Sequence, residues 1–161
     1  MSSSDRRSVL GLLAVLPLAA CGFAPAYGPG GPGQALRGQV RARDPQTSND
    51  FDFLAAFEDR VGRPTAARYE LEYRISTSER GAARVAGLGE TRITLFGDVR
   101  YTLTEIGSDE VVTEGSLRNF TNYSTTDTQL ATRRAEEDAQ ARLMRILADQ
   151  VAGRLIAALA E

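Results

Sequence analysis

The hydrophobic period changes once along the second half of this chain, and that change decides what it folds into. In residues 68–77, Tyr69, Leu71, Tyr73 and Ile75 alternate with Arg68, Glu70, Glu72, Arg74 and Ser76. A period of two puts the two sets on opposite faces of a strand. Residues 91–105 repeat the pattern with Ile93, Leu95, Val99, Tyr101 and Leu103. Gly97 stands where an apolar side chain is due, which predicts a bulge or bend. Ile106-Gly107-Ser108-Asp109 is a hairpin turn, and residues 111–123 return as a further strand. Its alternation shifts between Leu117 and Phe120, so a bulge is expected there as well. The period then becomes three and four: Ala135, Ala139, Leu143, Ile146 or Leu147, Val151, Leu155 and Leu159. That is the apolar stripe of a helix. Asp127 or Thr128 caps it, and it runs to about residue 160, a span of about 45 Å at 1.5 Å per residue.

The first half is less regular. Residues 36–43 alternate loosely and predict a half-buried strand, closed by Pro45 and Asn49-Asp50. Asp50 opens a helix over 51–61, with Phe53 or Leu54, Phe57 and Val61 at helical spacing; Gly62 and Pro64 stop it. Residues 79–90 are rich in glycine and alanine and predict a loop. The order strand, helix, three strands, helix predicts an α+β two-layer sandwich. Its sheet is four-stranded and mostly antiparallel, with two helices packed on one face. Residues 34–161 would form this single domain.

What precedes it reads as a targeting segment. Arg6 and Arg7 form a basic start, residues 9–20 a short apolar run, and Ala19 and Ala20 lie directly before Cys21, the chain's one cysteine. The apolar run is too short to span a membrane and has the layout of a secretory signal. Leu18-Ala19-Ala20-Cys21 resembles the bacterial lipobox. Residues 1–20 are then a lipoprotein signal peptide, and Cys21 is the acylated first residue of the mature chain. Each buried CH₂ of an acyl chain contributes about 0.8 kcal/mol, so several chains together anchor firmly. Gly22, rather than Asp, follows the cysteine; by resemblance to enterobacterial sorting this favours the outer membrane. Asp5-Arg6-Arg7-Ser8-Val9-Leu10 also resembles a degraded twin-arginine signal, although an ordinary positive start is the preferred reading of the two arginines. Residues 21–33 are rich in Gly and Pro and read as a tether between lipid and domain.

Composition narrows the chemistry. Without residues 1–20 the chain carries 17 Arg, no Lys and 20 acidic residues. A net charge of −3 argues against a general nucleic-acid binder. No histidine is present, which removes Ser-His and Cys-His nucleophilic pairs and the usual zinc sites. Gly28-Pro29-Gly30-Gly31-Pro32-Gly33 carries prolines and follows no strand, unlike a phosphate-binding loop. Glu136-Glu137-Asp138 falls on consecutive helical positions that point to different sides, as a solvated face does. The expectation is a non-enzymatic protein with no cofactor and no metal.

The order of elements, joined to the start Cys21-Gly22-Phe23-Ala24-Pro25-Ala26-Tyr27, resembles the LPS-assembly lipoprotein family LptE. Leu95-Phe96-Gly97-Asp98-Val99-Arg100-Tyr101-Thr102-Leu103-Thr104 resembles the family's central strand. Asn119-Phe120-Thr121-Asn122-Tyr123-Ser124, then Ala131-Thr132 and Ala135-Glu136-Glu137-Asp138-Ala139, resembles the passage from strand to helix in alphaproteobacterial members. The long polar C-terminal tail of enterobacterial members is missing. The resemblance implies an outer-membrane lipoprotein on the periplasmic side that plugs the lumen of an LptD-type β-barrel. Such a protein helps that barrel fold and assists passage of lipopolysaccharide to the outer leaflet. By motif match only Cys21 carries over as a site. Arg80, Arg84 and Arg92, in and beside the 79–90 segment, are candidates for contact with glycolipid phosphates through charge-assisted bonds; the bland reading is solvated loop charge. The rival function is a periplasmic lipoprotein accessory to an ABC-type lipid transporter, or a secretin pilot.

Overall fold

The computed structural model describes residue 28 and residues 31–85, 89–125 and 128–160. Cys21 and the expected signal peptide lie outside the described residues, as does Asp127. The elements are α1 (Pro32–Leu36), β1 (Val40–Ala42), α2 (Ser48–Val61), β2 (Tyr69–Val85), β3 (Gly89–Glu105), β4 (Val111–Ser124) and α3 (Gln129–Ala158). The sheet order is β1-β2-β3-β4; β1 runs parallel to β2, and the other pairs are antiparallel. The expected α+β sandwich of four strands and two helices is present, with a mixed sheet and one additional helical turn, α1.

That turn corrects the N-terminal reading. Residues 36–39 are not strand: Leu36 ends α1 and is fully buried, and only Val40–Ala42 pair with β2. Helix α1 therefore starts at Pro32, inside the stretch 21–33 read as a tether.

Helix α2 begins three residues earlier than expected, and Asp50 is not its cap. Thr47 is the cap: its hydroxyl accepts from the Asp50 amide at 3.2 Å, while Asp50 Oδ2 accepts from the Thr47 and Gln46 amides at 3.1 Å each. This reciprocal box satisfies donors that the first helical turn would otherwise leave bare. Gly62 closes the helix at φ 80°, a conformation that a Cβ disfavours. Phe53, Phe57 and Val61 face inward; Leu54 is only partly covered.

The core lies between the inner sheet face and the two long helices. Leu71, Tyr73, Leu95, Val99, Tyr101 and Leu103 come from the strands, and Phe53 meets Tyr73 with ring centroids 4.8 Å apart. Helix α3 supplies two adjoining rows. Ala139, Leu143, Leu147, Val151 and Leu155 form the expected stripe, and Met144, Ala148, Ala152 and Ile156 lie beside it. The second row exists because α3 packs against α2 as well as the sheet, so its buried arc is wider than one stripe. Leu147 rather than Ile146 is the fully buried member. Thr128 stands at the N-cap position. The buried Thr121 hydroxyl donates to the Ala139 carbonyl at 3.1 Å, tying β4 to the helix.

Gly97 introduces neither bulge nor bend. Its register is unbroken on both sides, opposite Thr77 and Asn119. A Cβ there would lie 2.9 Å from Leu143 Cδ2 and 3.0 Å from Leu147 Cδ1. The glycine lets α3 press onto the central strand. Nor does β4 bulge between Leu117 and Phe120. The register shift falls at Leu103/Thr104, and Leu117 faces the helices while Phe120 points away from them. Residues 79–85 and 89–90 are likewise not loop; they are the far ends of β2 and β3, which stay paired to Val85↔Gly89, and 86–88 lie outside the described residues. Periodicity missed them because residues 76–82 are exposed on both strand faces, so no hydrophobic alternation is needed there.

Two outcomes follow. Leu143→Ala with Leu147→Ala should largely unfold the domain. Each truncation of a buried Leu costs about 2–5 kcal/mol against a total of about 5–15. Gly97→Val should cost about 1–3 kcal/mol by overpacking the same contact. Denaturant midpoints check both, and a Gly97→Val midpoint equal to wild type would show that α3 does not rest there.

Candidate functional site

The two long helices lie on one side of the sheet, so among the described residues the opposite face is uncovered. Period two then dictates which side chains stand on it. From one end to the other the rows are Glu72, Thr102 and Glu114; then Arg74, Arg100 and Ser116; then Ser76, Asp98 and Arg118; then Ser78, Phe96 and Phe120; then Arg80, Thr94 and Asn122. The surface is polar and mixed in charge, with an aromatic pair in the middle. Phe96 and Phe120 approach to 6.0 Å between centroids, and Phe120 is 54% exposed. Sequence reasoning reaches this face as the polar outer side of the strands, because the outward half of the alternation holds arginines; it does not show which of them stand opposite one another.

Two sorts of arginine occur here. Arg118 is committed: its Nε and Nη2 bond Asp98 at 2.7 and 3.2 Å, a fork on a carboxylate that raises the pKa of Arg118 further. Arg80 lies over the Phe96 ring at 5.7 Å, a cation–π contact.

The three arginines expected to act together are gathered at one end of the molecule. Arg80 is on β2 opposite Thr94, Arg84 pairs in register with Glu90, and Arg92 is on β3 opposite Ser124. They stand on paired strands rather than a loop. Arg92 also borders a depression that reaches Asn122, Ser124, Asp138 and Arg142. There Arg142 is paired with Asp138 and donates to the Asn122 carbonyl at 3.3 Å. Cys21, the other expected site, lies outside the described residues. Among the described residues no group of three or more Cys, Asp or Glu is placed to hold a metal, and no helix is long and apolar enough to cross a membrane.

Near the β1 edge is a strained polar cluster. Asp50, almost fully buried, receives Arg43 Nη2 at 3.7 Å, and the Arg43 guanidinium lies 5.1 Å from the centre of the Tyr73 ring. The Tyr73 hydroxyl and Arg43 Nε are buried without a hydrogen-bond partner among the described residues. Burial, helped by the nearby Asp50 charge, pushes the Tyr73 hydroxyl up to about 12. Tyr123, buried and donating to Glu79 at 3.1 Å, is also raised to about 12.

With this geometry in view, three solved structures share the arrangement. A candidate lipoprotein from Caulobacter crescentus superposes with a TM-score of 0.67 at 19% identity, covering 80% of this chain and 96% of that one. The chain shares the fold of that structure. Rare lipoprotein B from Shewanella oneidensis gives 0.53 at 14% identity, over 76% of this chain and 92% of its own. A minor lipoprotein from Acinetobacter baumannii gives 0.54 at 12%, over 74% and 89%. At these identities the likeness is one of fold. No family model matches the sequence, and no curated protein matches it.

The two tyrosines give a pH prediction. Their neutral forms are favoured in the folded state, whereas in the unfolded chain they titrate near 10. Unfolded protein thus releases these protons first, and stability falls as pH rises from about 10 to 12. Tyr73→Phe should reduce that alkaline loss. It should also leave stability at pH 7 unchanged or raise it by about 1 kcal/mol, since an unpartnered buried hydroxyl is removed. A Tyr73→Phe protein that melts several degrees lower at pH 7 would show that the hydroxyl has a partner.

Proposed function

We propose that this chain is a lipid-anchored outer-membrane lipoprotein of the LptE kind. It plugs an LptD-type β-barrel and assists lipopolysaccharide insertion at the outer leaflet, without catalysis, cofactor or metal. The observation that carries the reading is the joining of a lipobox at Cys21 to a two-layer domain with the fold of rare lipoprotein B. The uncovered sheet face supports it. A surface of serines, threonines, paired charges and two phenylalanines suits contact with a barrel interior that is polar and wet. An apolar face would call for lipid or a dry interface instead. The long strand pair supports it too, because the far ends of β2 and β3 bring Arg80, Arg84 and Arg92 to one end of the sheet, where we expect them to meet phosphates of a passing glycolipid.

Photo-crosslinkers placed in living cells at Thr102 and Arg118, both on the uncovered face, test the partner. Crosslinks to the interior wall of a large β-barrel are expected. Depletion of the chain should lower the amount of folded barrel and admit hydrophobic compounds through the envelope. Arg84→Glu with Arg92→Glu should weaken glycolipid binding more than barrel binding. If every crosslink reaches an inner-membrane transporter or a secretin, the accessory-lipoprotein reading replaces this one.

A further inference from the structure

The arginines of the hairpin tip are not the only ones on the uncovered face. Arg74 and Arg100 are direct cross-strand partners in the regular part of the β2–β3 ladder. Like charges set opposite one another weaken a sheet. Elsewhere the same sheet matches its charges: Arg41 meets Glu70 at 3.1 Å, Arg68 meets Glu105 at 2.9 Å, and Arg118 meets Asp98 at 2.7 Å. No described carboxylate forms an ion pair with Arg74 or Arg100. Asp98, in the next row, is held by two nitrogens of Arg118. Glu72, in the row on the other side, stands on the rim.

A third arginine reaches the same place from another element. Arg43, just past β1, borders one depression of about 300 Å³ together with Glu72, Arg74, Arg100 and Thr102. Its Nη2 is directed to Asp50, but its buried Nε has no partner among the described residues. The depression is thus bordered by two arginines without an ion pair, a third arginine held toward Asp50, and a threonine. One planar carboxylate is satisfied by a single guanidinium fork. Two arginines at directly paired positions, both bordering one depression, suit an anion with more acceptor oxygens and more charge, which a phosphate monoester supplies with three terminal oxygens and close to two charges.

We propose that the depression beneath Arg74 and Arg100 binds a phosphate group, with the two guanidinium groups as its principal donors and Arg43 and Thr102 beside them. This site is separate from the hairpin tip: six residues along β2 part Arg74 from Arg80, about 20 Å at the rise of a strand. It needs no barrel, so it stands or falls apart from the partner assigned above. The phosphate has two sources, a lipid or glycolipid headgroup or a soluble ion, and the experiment tells them apart.

The full-length lipidated protein in non-ionic detergent is titrated with three probes at one ionic strength: diphosphorylated lipid A in mixed micelles, phosphatidylglycerol in mixed micelles, and inorganic phosphate. Phosphorus NMR and equilibrium binding give the affinities. Saturable binding of at least one probe is expected. Arg74→Gln with Arg100→Gln should weaken it at least tenfold, whereas Arg133→Gln with Arg134→Gln, two exposed arginines of α3, should change it less than threefold. The double glutamine variant should melt no lower than wild type, because a like-charge repulsion is removed. Arg74→Lys with Arg100→Lys keeps the charge but loses both forks, and should also lose most of the binding. The probe that binds names the source: a monoester on lipid A, a diester on a phospholipid, or the free ion. If no probe binds, or if the Arg74/Arg100 variants bind like wild type, the proposal is overturned.

Discussion

At Gly97 the central strand is bare, and Leu143 and Leu147 fill the space that a Cβ would take. Every other contact follows from that approach. It sets the height of α3 above β3, and with it the depth at which Leu95, Val99 and Leu103 are buried. It also fixes where α2 fits alongside, with Phe53 and Phe57 closing the layer over Tyr73. An exposed ion pair between helices, Arg60 with Asp149 at 3.2 Å, adds little to this packing, since such pairs contribute about 0–1 kcal/mol. The hydrophobic contact at a missing side chain governs the layer spacing.

A sheet clad on one side only has a second consequence. Everything that makes the inner face uniform leaves the outer face unconstrained by packing, so its composition is open to function. It is neither plain polar surface nor apolar patch. It carries a matched ion pair at Asp98 and Arg118, an aromatic pair at Phe96 and Phe120, and an unmatched arginine pair at Arg74 and Arg100. A sheet selected for stability alone would have paired the last of these.

How legible this was in the sequence depended on whether a face is buried. Where one side of a strand packs and the other does not, as in residues 69–75 and 93–103, alternation gave the strand and its facing correctly. Where neither side packs, as in residues 76–82, alternation vanishes and the strand looked like a loop. The hydrogen-bond ladder continues regardless, because backbone pairing does not depend on side-chain pattern. Gly97 misled for a related reason: in a strand a glycine marks either a bulge or a close neighbour, and only the distant Leu143 and Leu147 decide which. Asp50 looked like a helix cap because Asp is good at both N-cap and N3; Thr47, three residues earlier, was the distinguishing residue. The arginine pair was hidden because it exists only through register. Arg74 and Arg100 lie 26 positions apart, and nothing local to either announces the other.

The account's central claim is that the helices bury one sheet face so that the other can meet a partner in the envelope. Hydroxyl-radical footprinting of Phe120 tests it most directly, because that ring is exposed in the isolated chain and lies on the uncovered face, on strand β4. The lipoprotein is oxidised in its native envelope and again after purification to the single chain. The account predicts that Phe120 oxidation is several-fold lower in the envelope than in the purified protein. Equal oxidation of Phe120 in both states would contradict it.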